Sequence, residues 1–250
     1  MAPSIYLQKD LTELKRKLLG DVIVNSGFLW RVFQKGDDYR IYATEDLGAM
    51  VAIQATRDHM IFAGNWSGLE IPEKLLPGKG VFVSASPTKA IDILKRHYEL
   101  AGEWPCWHFL APPSFGPGPW DGIGPIKIEE VAAIARNWAL SDDPEKEMAF
   151  RVERFDSACI RVDGKPVSWC GLHFEIPGVG NMGFAHTLEA HRRKGYAAMV
   201  TKALVNRLAS RGCRATVHVI KDNSASAALC SSMGFSIVGE QTWADFKARD

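Results

Sequence analysis

Arg192, Arg193 and Lys194 stand directly before Gly195 and an apolar helical pattern that starts at Tyr196. The first turn of a helix already carries partial positive charge from its unpaired N–H groups, so three added cations gain nothing from the helix itself. They do gain if a strongly negative group sits at that turn. Gly195 lets the main chain approach a phosphate with no Cβ in the way. Ala197 keeps the helix start open, and the three cations add charge-assisted hydrogen bonds. A pyrophosphate fits such a site. The competing reading is a solvated helix end, the commoner fate of a charge run. A dinucleotide site of the GxGxxG type is disfavoured, because that spacing is absent here.

The flanking pattern supports the phosphate reading. Met182 to Leu188 reads as a strand leading into the basic turn, and Tyr196 to Arg211 as a helix with Ala197, Val200, Leu204 and Leu208 on one face. Ala215 to Ile220 is a strand, Ser224 to Ser232 a short helix and Phe235 to Val238 a final strand. Upstream, Ile128 to Leu140 and Pro144 to Phe155 read as helices. Ser157 to Val162 and Val167 to Phe174 read as strands around Asp163-Gly164, a hairpin signal in a turn that Pro166 lengthens. Gly178 to Gly180 marks another turn. The densest break is PPSFGPGPWDGIGP, Pro112 to Pro125, where proline and glycine exclude a helix or central strand. It divides the chain into residues 1–111, a linker at 112–125, and residues 126–250.

The first part opens with a helix pattern from Leu7 to Leu19, followed by β-like runs at Phe28 to Phe33, Tyr39 to Ala43 and Val81 to Ser84. A helix then starts at Ser86-Pro87-Thr88, with Ile91, Leu94 and Tyr98 at helical spacing. This part carries no chemical motif.

Bulk properties narrow the function. At 250 residues the chain can hold one large core or two small ones. A net charge of +1 argues against a broad nucleic-acid surface, so the basic cluster acts locally. No apolar run is long enough to cross a bilayer, and the first residues lack the apolar stretch of a signal peptide. Cys106, Cys159, Cys170, Cys213 and Cys230 are scattered, with no CxxC pair. That suits reduced thiols in a cytoplasmic protein better than a disulfide frame or a metal site.

The pattern Arg192-x-x-Gly195-x-Ala197 after a strand resembles the coenzyme-A pyrophosphate loop of the GNAT acyltransferase superfamily. Asn223-x-x-Ser226, followed by Met233-Gly234-Phe235, is similar to its second signature, an Asn-led helix ending in Gly-Phe. The resemblance covers about Ile126 to Trp243. A narrower likeness joins Gly164 to Cys170 (GKPVSWC), Thr187-Leu188 and Trp243 to the glycine N-acyltransferase branch. It implies a mixed α/β GNAT fold in the second part, preceded by a degenerate GNAT-like first part.

By this resemblance the cosubstrate is acetyl-CoA or another acyl-CoA, with no metal, and the acceptor is the amine of a small molecule or amino acid. Backbone groups of Ala185, His186, Thr187 and Leu188 run beside the pantetheine arm. The amides of Arg193, Lys194, Gly195, Tyr196 and Ala197 hold the pyrophosphate with Arg192 alongside, and Asn223 and Ser226 complete the cofactor site. The branch's general base is a glutamate, and the aligned position here is Asn181, which cannot accept a proton. Substitutes are His186 first and Glu175 second, then His173, His218 or a relaying water. Where a tyrosine acid is expected stands Cys230, which either donates to the leaving thiolate or simply packs. An acyl-CoA binder without catalysis is the alternative function.

Overall fold

A computed structural model describes residues 4–35, 38–86, 88–138 and 143–249. They fall into two compact units. The first comprises Met1–His108, Val219–Ser224 and Val238–Asp250. Its elements are β1 (Tyr6–Leu7), α1 (Thr12–Leu19), α2 (Ser26–Phe33), β2 (Tyr39–Ala43), β3 (Ala49–Gln54), β4 (His59–Gly64), β5 (Val81–Ala85), α3 (Lys89–Leu94) and β6 (Tyr98–Leu110). β1 to β4 form an antiparallel meander, and β4 pairs in parallel with β5. Val51, Met60, Phe62, Val83, Ile91 and Leu94 are buried in its core.

Two expectations for this unit do not hold. Phe28 to Phe33 is not a strand but most of α2. Phe28, Leu29 and Trp30 are all buried there, so tertiary packing overrides the β-preference of aromatic and branched residues. The opening helix begins only at Thr12, since Tyr6–Leu7 pairs with β2. Tyr98 likewise starts β6 instead of extending α3. Pro87, and residues 139 and 140 of the helix read from Ile128, lie outside the described residues.

The second unit comprises Phe109–His218 and Ala225–Ile237. It holds α4 (Val131–Ala135), α5 (Pro144–Arg154), β7 (Ser157–Val162), β8 (Lys165–Ile176), β9 (Val179–Thr187), α6 (Tyr196–Ser210), β10 (Arg214–Ile220) and α7 (Ser224–Ser232). β7, β8 and β9 are antiparallel neighbours, and β10 joins β9 in parallel, as a strand–helix–strand crossover through α6 requires. Asp143 starts α5 by accepting the Lys146 N–H at 3.2 Å, with Pro144 in the first turn where no N–H is needed.

The β7–β8 turn is shorter than Pro166 suggested. Asp163 and Gly164, at φ 50° and 75°, form a two-residue turn that leaves Val162 opposite Lys165. Pro166 lies inside the ladder, opposite Arg161, next to a register shift that accommodates its missing N–H. Pro112 to Pro125 forms neither helix nor strand, yet it is tied to α6. The Phe115 N–H donates to Asn206 Oδ1 at 2.7 Å, and Lys202 lies 4.4 Å from the Trp120 ring centre.

The last strand, β11 (Ser236–Ala248), extends ten residues past the run expected to end at Val238. Its Thr242 to Phe246 pair antiparallel with Ala85 to Val81 in the first unit, so the units do not follow the order of the chain. All five cysteines are free and buried. No helix among the described residues is long and apolar enough to cross a membrane.

Candidate active site

The basic turn is open. After β9 the chain makes one tight turn at Glu189–His191, passes Arg193 at φ 61° and Gly195 at φ 78°, and enters α6. Alternation of right- and left-handed residues in a turn is the kind of backbone that makes anion-binding concavities. The Met199 N–H donates to the Gly195 carbonyl at 3.1 Å as the first bond of the helix. Among the described residues, no protein acceptor meets the main-chain N–H groups of Gly195, Tyr196, Ala197 or Ala198, and no side chain caps the helix. A Cβ built on Gly195 meets nothing within 4 Å, and residues 192–195 are exposed. Arg192 turns back along the strand, its Nε donating to the Thr187 carbonyl at 3.2 Å.

The strand ahead of this turn is irregular. Gly171 lies opposite Gly183 and Trp169 opposite His186, so Phe184 and Ala185 together face the single residue Cys170. This is a β-bulge, and Phe184 carries its strain at φ 38°. On the other side, the β9–β10 ladder runs from Val179–Arg214 to Met182–Val217. No further pair is recorded among the described residues, although β10 continues to Ile220. The strands therefore part beyond Met182, which frees main-chain groups of the following β9 residues on that side for a ligand.

Aromatic rings fill the space left by two glycines. A Cβ on Gly171 would lie 2.0 Å from Phe184 Cζ, and one on Gly183 would lie 1.9 Å from His173 Nε2. Trp138, between α4 and α5, lies 5.9 Å from Phe184 and 6.0 Å from His173, ring centre to ring centre. This group was not foreseen. The facing glycines Gly171 and Gly183 were its only trace in the sequence.

The candidate residues separate into those that share this place and those that do not. His186 lies against Trp169, ring centres 5.2 Å apart and planes tilted by 31°, just beyond the bulge. Partial burial and the nearby Arg192 guanidinium hold its pKa below the usual histidine value, so the imidazole is neutral at neutral pH. Arg192→Gln is expected to raise that titration midpoint, because removing a cation favours the protonated ring. An NMR titration of the His186 ring carbons checks this, and an unmoved midpoint rules out the electrostatic coupling. Thr187 Oγ1 and Ser168 Oγ are 2.8 Å apart, and Leu188 packs against the Trp169 core.

Glu175 does not join His186. It pairs opposite Gly180, six residues back along β9, or about 20 Å at strand spacing. There it binds Arg211 at 2.9 Å, and Arg211 also binds Asp156. Cys230 is buried on α7, and burial pushes its thiol up to about 11, so it stays protonated. Ser226 is half-buried on α7, whereas Asn223 is exposed and belongs to the Val219–Ser224 segment of the first unit. Asn181 is buried between strands, its Nδ2 donating to Thr216 Oγ1 at 3.0 Å and lying 3.3 Å from His218 Nδ1.

Residues 162–244 match the family described as FR47-like protein. Among solved structures, a Drosophila protein aligns over 98% of both chains with 13% identity and a TM-score of 0.67. An acetyltransferase of the GNAT family from Colwellia psychrerythraea covers 98% of this chain and 100% of its own, with 14% identity and a TM-score of 0.59. A tandem GNAT protein from the clavulanic acid biosynthesis pathway, solved without acetyl-CoA, covers 98% of both chains with 9% identity and a TM-score of 0.52. At these identities the likeness is one of fold, and the chain has the mixed α/β, two-half fold of the GNAT acetyltransferases.

Proposed function

We propose that this protein is an N-acyltransferase that moves an acyl group, most simply acetyl, from acyl-CoA to the amine of a small molecule or amino acid. The observation that carries the reading is the open turn at Gly195, whose N–H groups lack protein acceptors among the described residues and whose flanks are cationic. A diphosphate fits that cradle by charge and by room. Residues Arg193 to Ala197 would hold it through their amides, with Arg192 alongside. Ala185 to Leu188, where β9 has parted from β10, would run beside the pantetheine arm. Asn223 and Ser226 enter the site through the sequence resemblance.

The cosubstrate supplies an activated carbonyl, and no metal is required for that. The chain's own part is to orient the two reactants, exclude water and move protons. The glycine N-acyltransferase-like branch is the finer assignment we favour, on Gly164 to Cys170 and Thr187-Leu188. Three cations clustered at one turn of a chain of net charge +1 fit a small anionic ligand better than nucleic acid. Five free thiols fit a reducing cytoplasm.

Calorimetry with acetyl-CoA, followed by a thiol-release assay over a panel of amines, tests the proposal. Binding is expected, weaker as salt rises, with free thiol released for at least one amine. Binding without thiol release supports the second reading, a non-catalytic acyl-CoA sensor. That reading is favoured by one observation: Asn181 stands at the aligned base position. Absence of binding would overturn both.

A further inference from the structure

The ring of Phe184 occupies the one place on its strand where a long acyl chain would have to go. We propose that Phe184 sets acyl length in this protein, so that acetyl is transferred while medium-length and aryl acyl groups are refused, an inference that rests on the transferase reading above.

The direction of the cofactor arm follows from the proposed contacts. With the pyrophosphate at the turn before α6 and the arm running beside Leu188 back to Ala185, its thiol end comes to the bulge, where Phe184 and Ala185 together face Cys170. On the β10 side the strands part beyond Met182. On the β8 side the sheet continues, and Phe184 leans over it. A Cβ on Gly171 would lie 2.0 Å from Cζ and 2.5 Å from Cε2 of that ring. The ring tip therefore sits in a recess that exists only because residue 171 has no side chain.

Other rings hold it there. His173 meets Phe184 edge-on, ring centres 5.9 Å apart and planes at 73°, and Trp138 lies 5.9 Å away at 43°. Trp138 and Phe184 both pack against the core that contains Trp169. The backbone is strained to keep this arrangement. A φ of 38° persists in a residue with a Cβ only where the surroundings over-determine it, and such outliers gather at functional sites. Core filling alone does not call for it, because Phe184 is half-buried and its neighbour Ala185 is exposed, so the bulge lies at the surface.

An acetyl methyl ends in the gap beside β9, whereas a longer chain has to turn across that strand, a width of about 4.8 Å. Gly171 and Gly183 are directly paired, so the spaces they leave open onto one face. Phe184 fills the first and His173 the second, and the face is closed to a chain arriving from the gap. The chemistry is the same for every chain length. The amine nitrogen bonds to the acyl carbon, the C–S bond breaks with its electron pair going to sulfur, and the proton the amine gives up ends on the thiol.

Thiol release and calorimetric affinity are measured with acetyl-, hexanoyl- and benzoyl-CoA for wild type, Phe184→Ala and Phe184→Gly, with circular dichroism confirming the fold. Wild type is expected to favour acetyl over hexanoyl and benzoyl by at least about 10-fold in kcat/KM, and both variants to shift that preference toward the larger groups by about 10-fold or more. Phe184→Gly also removes the cost of the left-handed backbone, which keeps the test open if the alanine variant does not fold. Adding Gly171→Val to Phe184→Ala refills the recess from the opposite strand and should move the ratio back toward wild type. A merely structural role for Phe184 would lower all three substrates alike, and an unmoved ratio overturns the proposal. So does a wild type that uses hexanoyl-CoA as well as acetyl-CoA, or a ratio that stays shifted in the refilled variant. Acetyl-CoA binding without thiol release from any acyl-CoA overturns the transferase reading instead, and selection by acyl length is then decided by the same ratio taken from the affinities.

Discussion

Gly195→Val leaves a folded protein that has lost acetyl-CoA binding, with affinity down by at least about 100-fold, or roughly 2.7 kcal/mol. The reason lies in the backbone and not in crowding within the protein, since a Cβ at this position meets nothing within 4 Å. Gly195 is at φ 78° and ψ 0°, the left-handed region, where an L-residue pays roughly 1–2 kcal/mol and a β-branched one more. Valine escapes by rotating φ, which redirects the N–H groups at the start of α6. Its methyl groups also occupy the space a phosphate would take. Hydrogen bonds to a charged group contribute about 1.5–3 kcal/mol each, so misdirecting two accounts for the loss. Calorimetry reads the affinity and circular dichroism the fold. Unchanged affinity in a folded variant would remove the turn from the binding site.

The contrast between what local sequence encodes and what it hides runs through the second unit. Ser157–Val162 and Ser224–Ser232 have the bounds read from the sequence, because turn residues and periodicity mark both ends. The basic turn was legible for the same reason: glycine, cations and helical pattern lie within a few residues of one another. The bulge at Phe184 was not, because it follows from which β9 residues meet Cys170, a matter of register between two strands. The Asn181–His218 contact joins residues on strands separated by the whole of α6. The length of β11 was in fact encoded, in the alternate burial of Thr242, Ala244 and Phe246. Gly239 and the charged Glu240 hid that pattern, and its partner β5 lies at the far end of the chain.

The same cross-strand geometry sets the second large effect, at Gly183. Even Gly183→Ala places a Cβ 1.9 Å from His173 Nε2 and 2.0 Å from its Cδ2. Real side chains do not approach so closely, and the imidazole is hemmed in by Trp138 and Phe184, so a small tilt cannot relieve the clash. Either His173 leaves its place or β9 shifts away from β8. Overpacking of this kind costs about 1–3 kcal/mol, which a urea titration reads directly. The chemical consequence is larger than the folding one, because the shift falls at the bulge that leads into Ala185 to Leu188, the stretch beside the pantetheine arm in the transferase reading. A displacement near 1 Å there is expected to lower kcat by about 100-fold. The turn at Gly195 lies beyond the end of β9 and keeps its own geometry, so the pyrophosphate contacts, and with them most of the acetyl-CoA affinity, should hold. The predicted signature is therefore a split between retained binding and lost turnover. A variant of wild-type stability and rate would mean that His173 moves freely and that the bulge does not depend on it.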